Sequence, residues 1–88
     1  DGLCHIAHNT YIGENTGLAA CVMLAGGVKI GRNCWISPGV SFRDNISIGD
    51  NVLVGIGSVV VKDIPSNVSI YGVPAKIHNT TYHMVDNG

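Results

Sequence analysis

Ile6-Ala-His-Asn-Thr-Tyr11, Ile12-Gly-Glu-Asn-Thr-Gly17, Leu18-Ala-Ala-Cys-Val-Met23 and Leu24-Ala-Gly-Gly-Val-Lys29 read as one six-residue phrase written four times. The phrase continues to Pro65. Its first slot holds Ile6, Ile12, Leu18, Leu24, Ile30, Ile36, Phe42, Ile48, Val54 and Val60, all apolar. Its fifth slot runs from Thr10 to Ile64 and holds only β-branched or small residues. Its fourth slot is Asn, Gly or Asp in nine of ten units, with Cys21 the exception. Those residue types accept a left-handed backbone turn at low cost. An amphipathic helix would repeat its apolar residues every 3.6 positions and a half-buried strand every 2. A period of six with one turn residue per unit is neither. It describes a short strand and a corner, over and over, which is the mark of a repeat architecture. Three such sides close a triangular coil of 18 residues, and stacked coils pair as parallel strands about 4.8 Å apart. The expected fold is all-β: a parallel β-helix of about three coils over residues 1–65, then a turn and tail over 66–88.

Stacking makes residues 18 apart into neighbours. Asn15, Asn33 and Asn51 should form an asparagine ladder at one corner, with Glu14, Arg32 and Asp50 beside them in alternating charge. Each exposed ion pair there would contribute only about 0 to 1 kcal/mol. Ile12, Ile30 and Ile48 should stack inward. Cys4 and Cys34 take inward slots as small core residues, and Cys21 sits at a corner as the accessible thiol. The repeat is already running at residue 1, where Cys4 and His5 fill the last two slots of an eleventh unit. This suggests the carboxyl-terminal piece of a longer β-helix, or a shortened one, with an uncapped first coil. Ser66–Asn67 reads as a turn, and the polar residues 77–88 are expected to fray.

Bulk properties bound the function. At 88 residues the chain is one small domain, and such a thin core often depends on oligomerisation. Charged residues make up 12 % of it, against roughly 25 % in an average domain. That suits a chain that covers outer surface with copies of itself. The net charge is −1, and the five basic residues are scattered, so no nucleic-acid or anionic-membrane surface is indicated. The longest apolar run, near Val59–Val61, is too short for membrane insertion. No signal segment is evident. Three cysteines without a CxxC pair give no closed disulfide framework. The expected compartment is the cytoplasm.

This pattern resembles the hexapeptide-repeat acyltransferases, whose β-helix is left-handed. Within it, Cys4-His-Ile-Ala-His-Asn9 resembles the catalytic segment of the two acyltransferases of early lipid A synthesis, one acylating a sugar hydroxyl of a nucleotide sugar and the other a glucosamine nitrogen. The run Val22-Met-Leu-Ala-Gly-Gly-Val-Lys-Ile-Gly-Arg32 is similar to the second of these. The resemblance assigns His8 as the general base. A histidine suits that task because it titrates near neutrality. Gly26, 18 residues on, is the position whose backbone N–H would hold the oxyanion of the attacked thioester. His5 matches a substrate-contacting histidine. The segment Val68-Ser-Ile-Tyr-Gly-Val-Pro-Ala-Lys76 resembles the closing segment of the acetyl-coenzyme A-dependent members, in which Gly72 and Lys76 would lie along the coenzyme, Lys76 near its phosphates. Asn45 and Gly27 stand where the lipid A enzymes carry further histidines, and the tail is that of acetyl transferases acting on amino sugars or sialic acids. The tail thus favours acetyl as the acyl group, and the acyl length stays open.

The function expected is transfer of an acyl group from acetyl-coenzyme A, or from an acyl carrier protein thioester, to a sugar or nucleotide-sugar amine or hydroxyl. The thioester is a co-substrate, and no tightly bound cofactor or metal is implied. Outward Met23, Trp35, Leu53 and Val59 point to a homotrimer, and the uncapped first coil to end-to-end pairing of trimers into a hexamer. Two other functions fit the residues. One is a non-catalytic β-helix, a truncated remnant or a trimeric scaffold, which coenzyme binding without turnover would support. The other is a zinc hydrolyase of the β-helical carbonic anhydrase type, for which only His5 and His8 lie in the repeat, with His78 and His83 in the tail.

Overall fold

In the computed structural model, which describes residues 4–80, ten two-residue strands follow the hexads. They are β1 (His5–Ile6), β2 (Tyr11–Ile12), β3 (Gly17–Leu18), β4 (Met23–Leu24), β5 (Lys29–Ile30), β6 (Trp35–Ile36), β7 (Ser41–Phe42), β8 (Ser47–Ile48), β9 (Leu53–Val54) and β10 (Val59–Val60). Two longer strands follow, β11 (Ser69–Gly72) and β12 (Ala75–Asn79). Every third strand joins the same sheet: β1-β4-β7-β10, β2-β5-β8, and β3-β6-β9-β11 with β12 outside β11. The pairings between coils are parallel, as Ile12 with Ile30 and Ile30 with Ile48. This is the expected parallel β-helix, in about four turns.

The slots behave as the pattern requires. First-slot side chains point inward, and Leu24, Ile30, Ile36, Val54 and Val60 are completely buried with fifth-slot Val22, Val28, Val40 and Val52. Full burial of one such aliphatic side chain stabilises the fold by roughly 1.5–3 kcal/mol. The fourth slot makes the corners. Asn9, Asn15, Cys21, Asn33, Asn45 and Asn51 have φ between 57° and 62°, and Gly27, Gly39 and Gly57 share that region. Asn serves there because its short polar side chain tolerates the left-handed conformation better than other residues with a Cβ. Three corners result: the first at residues 7–10, 25–28 and 43–46, the second at 13–16, 31–34 and 49–52, the third at 19–22, 37–40 and 55–58.

The period breaks once. Asp63, expected at a corner, instead lies beside Ser47 and accepts its backbone N–H at 2.9 Å. Ile64 bridges to Ile48, a separation of 16 residues. The last coil is therefore two residues short at its first corner, and Ile64 fills a first slot rather than a fifth. The same offset pairs Leu53 with Ser69 and Val54 with Ile70. Asn67, 16 residues beyond Asn51, makes the next turn of the second corner with φ 64°.

Beyond the shortened coil, Val68, Ile70 and Ala75 complete the core. Ser58 occupies a buried slot and ties this segment down: its Oγ donates to the Gly55 carbonyl (2.8 Å) and accepts the Gly72 N–H (3.1 Å). The chain then turns through a cis Val73–Pro74 bond, and β12 returns antiparallel to β11. Residues 77–79 are strand rather than frayed, and His78 stacks on Tyr71 with ring centroids 3.7 Å apart. Residues 81–88, with His83, lie outside the described residues.

At the second corner the asparagine column extends to Asn67, whose Oδ1 accepts from Asn51 Nδ2 at 3.0 Å. The neighbouring charged column is held through the backbone: Asp50 Oδ1 accepts the Arg32 backbone N–H at 2.9 Å, and the Asp50 N–H donates to Ser66 Oγ at 2.8 Å. Of the thiols, Cys34 is buried as expected, and burial pushes its pKa up. Cys4 is exposed together with Cys21, because its coil is the first of the described stack and has core on one side only.

Candidate active site

Ala7-His-Asn-Thr10 turns the chain from the first sheet to the second, and the left-handed Asn9 makes the turn. One coil on, Gly27 N–H donates to the His8 carbonyl at 3.1 Å; one coil further, Asn45 N–H donates to the Gly26 carbonyl at 2.9 Å. These two bonds fix a column of outward positions, His8, Gly26 and Asp44, at successive rungs. Gly26 adds no side chain. A Cβ there would meet nothing closer than the His8 carbonyl oxygen, at 3.7 Å. The position is thus open toward solvent, and the Gly26 N–H has no acceptor among the described residues.

An open cleft of about 890 Å³ spreads from this column across the second sheet. His8, Tyr11, Gly26, Lys29, Asp44 and Asn45 line it. The side chains of His8 and Asp44 are exposed. The expected pair of base and oxyanion donor therefore shares one cleft. His5 does not. It faces outward from β1 into a neighbouring cleft of about 510 Å³, with Met23, Ser41 and Phe42. Gly26 lines both clefts and is the ridge between them.

The two tail residues lie in one hairpin, Gly72 opposite Ala75 and Lys76 opposite Tyr71. Gly72, with φ 115°, closes the β11–β12 turn, and its N–H is engaged by Ser58. Lys76 lines a third cavity of about 280 Å³ with Lys62, Asp63 and Ile77, at the shortened corner. Among the described residues, no three His, Cys, Asp or Glu side chains converge as metal ligands. Among the described residues, no helix is long and apolar enough to cross a membrane.

Sequence reasoning passed over Asp44, Lys29 and Tyr11. The signal was available for one of them, since adding 18 to His8 gives Gly26 and adding 18 again gives Asp44. Lys29 and Tyr11 are outward residues of the second sheet, and nothing in the hexad marks which outward residues border a cleft.

Residues 27–62 match the family described as bacterial transferase hexapeptide (six repeats). Over that stretch the hexads match the repeat of that family. Relatives of the repeat include galactoside O-acetyltransferase of Escherichia coli strain K12, 46 % identical over 50 residues that make up 57 % of this chain and 25 % of that protein. UDP-3-O-acylglucosamine N-acyltransferase of Bordetella avium is 41 % identical over 64 residues, 73 % of this chain and 18 % of its own length. Among solved structures, PerB from Caulobacter crescentus in complex with CoA and GDP-perosamine superposes with a TM-score of 0.85 at 36 % identity, covering 86 % of this chain and 37 % of that one. The hexapeptide-repeat chain thus spans between about a sixth and two fifths of the length of these relatives.

Proposed function

We propose that this hexapeptide-repeat β-helix is the catalytic part of an acetyl-coenzyme A-dependent acetyltransferase acting on an amine or hydroxyl of a sugar or nucleotide sugar in the cytoplasm. The observation that carries the reading is the shared cleft of His8 and Gly26, one rung apart, with the Gly26 N–H unengaged. The names of the relatives support the class of donor and acceptor.

In the reaction the acceptor's nitrogen or oxygen attacks the thioester carbonyl carbon. His8 takes the proton that the acceptor loses. The carbonyl oxygen becomes an oxyanion, and a pre-positioned backbone N–H such as that of Gly26 is worth most at that moment. As the C–S bond breaks, the proton passes from His8 to the departing thiolate. His5, in the adjoining cleft, is assigned to acceptor contacts. Lys76 is assigned to the donor's phosphates, with Gly72 shaping the turn that carries it.

The chain works as a homotrimer in this reading. Met23 and Trp35 are 47 % and 41 % exposed on two adjacent sheets, and Ile56 is 77 % exposed at the corner between them. That much clustered apolar surface favours burial against copies of the chain. Light scattering of the purified chain at micromolar concentration should give a trimer mass, and a monomer mass would contradict it.

The test of the activity is thiol release from acetyl-coenzyme A in the presence of amino-sugar and neutral-sugar nucleotides. Wild type should turn over. His8→Ala should lose turnover and keep coenzyme binding, since the base does not hold the donor. Full activity in His8→Ala would overturn the assignment. A stable trimer that binds coenzyme without any turnover would favour the scaffold reading.

A further inference from the structure

The described part of the chain contains three aspartates, and two of them are bonded to the solenoid. Asp50 Oδ1 accepts the Arg32 N–H and Asp63 Oδ1 accepts the Ser47 N–H, each at 2.9 Å. Asp44 differs from both. Its carboxylate accepts no hydrogen bond and joins no ion pair among the described residues, and it lines the cleft of His8 and Gly26. Lys29 lines the same cleft from β5 and does not neutralise it.

The placement gives this free carboxylate a direction. His8 and Asp44 flank Gly26 at successive rungs of one corner, so their backbones stand about 10 Å apart along the stack. The missing side chain of Gly26 leaves the space between them open. An acceptor's reacting group that is within reach of His8 and of the Gly26 N–H therefore lies next to Asp44. A hydroxyl gains little from a neighbouring carboxylate beyond one hydrogen bond. An ammonium gains that bond and the attraction between opposite charges as well. Lys29, on the sheet side of the cleft, repels a cation and leaves the Asp44 side as its place.

We infer that Asp44 is a substrate-binding residue that selects a primary amine, and hence that the acceptor is an amino sugar and the product an amide. The inference rests on the acetyltransferase reading for its chemistry, and on the geometry of Asp44 for its specificity. The amine arrives as an ammonium held by Asp44 and loses one proton to solvent. The neutral nitrogen attacks the thioester carbon, the C–N bond forms and the C–S bond breaks. The second proton goes to His8 and then to the thiolate.

The experiment uses the full chain and its Asp44→Asn and Asp44→Glu variants. The acceptors are nucleotide sugars with an amine at carbon 2 or carbon 4 and their hydroxyl counterparts. For the amine, kcat/KM should fall about five- to tenfold in Asp44→Asn, mainly through KM, with partial recovery in Asp44→Glu. For the hydroxyl counterpart the fall should be no more than about twofold. Equal losses for amine and hydroxyl, or no loss for either, would overturn the inference. Calorimetric binding of the same amino-sugar nucleotides separates the two failures. If wild type shows no turnover, the acetyltransferase reading fails. A tighter fit of wild type than of Asp44→Asn for the amine alone would still uphold Asp44, and equal binding by both would sink it. The exposed Asp44 has no partner to lose, so the thermal midpoints should match.

Discussion

The first and second corners of the solenoid share one backbone and differ in what their side chains do. Each is made by Asn or Gly with positive φ at the fourth slot, stacked coil on coil. At the second corner the polar groups satisfy one another: Asp50 holds Arg32, Ser66 holds Asp50, and Asn51 holds Asn67. At the first corner the His8 side chain, the Gly26 N–H and the Asp44 carboxylate hold nothing among the described residues and line one cleft. Stability asks of a corner only that it turn and that its buried donors find acceptors. The second corner meets that demand and adds side-chain rungs. The first meets it through the backbone and one local bond, Thr10 Oγ1 to the Ala7 carbonyl (3.3 Å), and leaves the His8 and Asp44 side chains without partners among the described residues.

That contrast is tested most strongly by His8 and Glu14, which occupy the same slot of adjacent corners in one coil. His8→Ala should lower kcat/KM by roughly 10²- to 10⁴-fold, the usual contribution of a positioned base. Glu14→Ala should alter it less than about twofold, as expected of a surface change remote from the site. Losses of equal size would erase the distinction between the corners.

Glycines give the next largest effect. A Cβ on Gly31, at the second corner, would stand 2.6 Å from the Gly49 carbonyl oxygen. Gly31→Ala should cost about 1–3 kcal/mol in urea unfolding, as over-packing does. Gly26→Ala has room and should unfold within about 0.5 kcal/mol of wild type. Its methyl group would nevertheless fill the gap between His8 and Asp44, so activity should drop while stability holds. Equal stabilities for the two variants would mean that the second corner relaxes more freely than its packing suggests.

A smaller difference separates the asparagines. Glycine keeps the positive φ without strain, so Asn51→Gly removes a side-chain bond and Asn45→Gly removes none. The first should be less stable than the second by about 0.5–1.5 kcal/mol, the net worth of one hydrogen bond. Reversal of that order would show that Asn45 stabilises its corner by another route.

The smallest effect concerns Cys34, whose buried thiol donates to the Gly49 carbonyl at the second corner (3.2 Å). Burial raises its pKa, so at alkaline pH the unfolded chain ionises this thiol before the folded one does. Stability from this group is full below the ordinary thiol range and is lost as pH rises toward the raised value. Between about pH 8 and pH 10 the thermal midpoint of wild type should fall more than that of Cys34→Ala. Parallel curves would remove the effect. A thiol reagent should label Cys4 and Cys21 in the native chain, and Cys34 only after unfolding.

Much of this was legible in the hexads. Nine of the ten fourth-slot residues adopt positive φ, because corner chemistry is local and restricts the residue types. The inward columns were legible for the same reason. Asp63 and Ile64 were misplaced by counting. A fixed period puts Asp63 at a corner and Ile64 in a fifth slot, and a two-residue shortening moves both. Past that point the repeat drops out of phase, so β11 and β12 were hidden although Val68 and Ile70 remain core residues. At the site, residue 18 beyond His8 was found and residue 36 beyond it was not. Asp44 carries no local mark: its role depends on what its carboxylate lacks, and a missing partner is visible only in three dimensions.

The reversed strand β12 has a consequence for polymerisation. A triangular solenoid is a natural template, because each coil offers three parallel edges onto which an identical coil could be laid, in the manner of fibril growth. Among the described residues the outermost strand of the third sheet runs the other way, and the coil beneath it is short by two residues. An incoming coil would find two edges in phase and one turned around, and a seed that offers two matching sides out of three does not propagate.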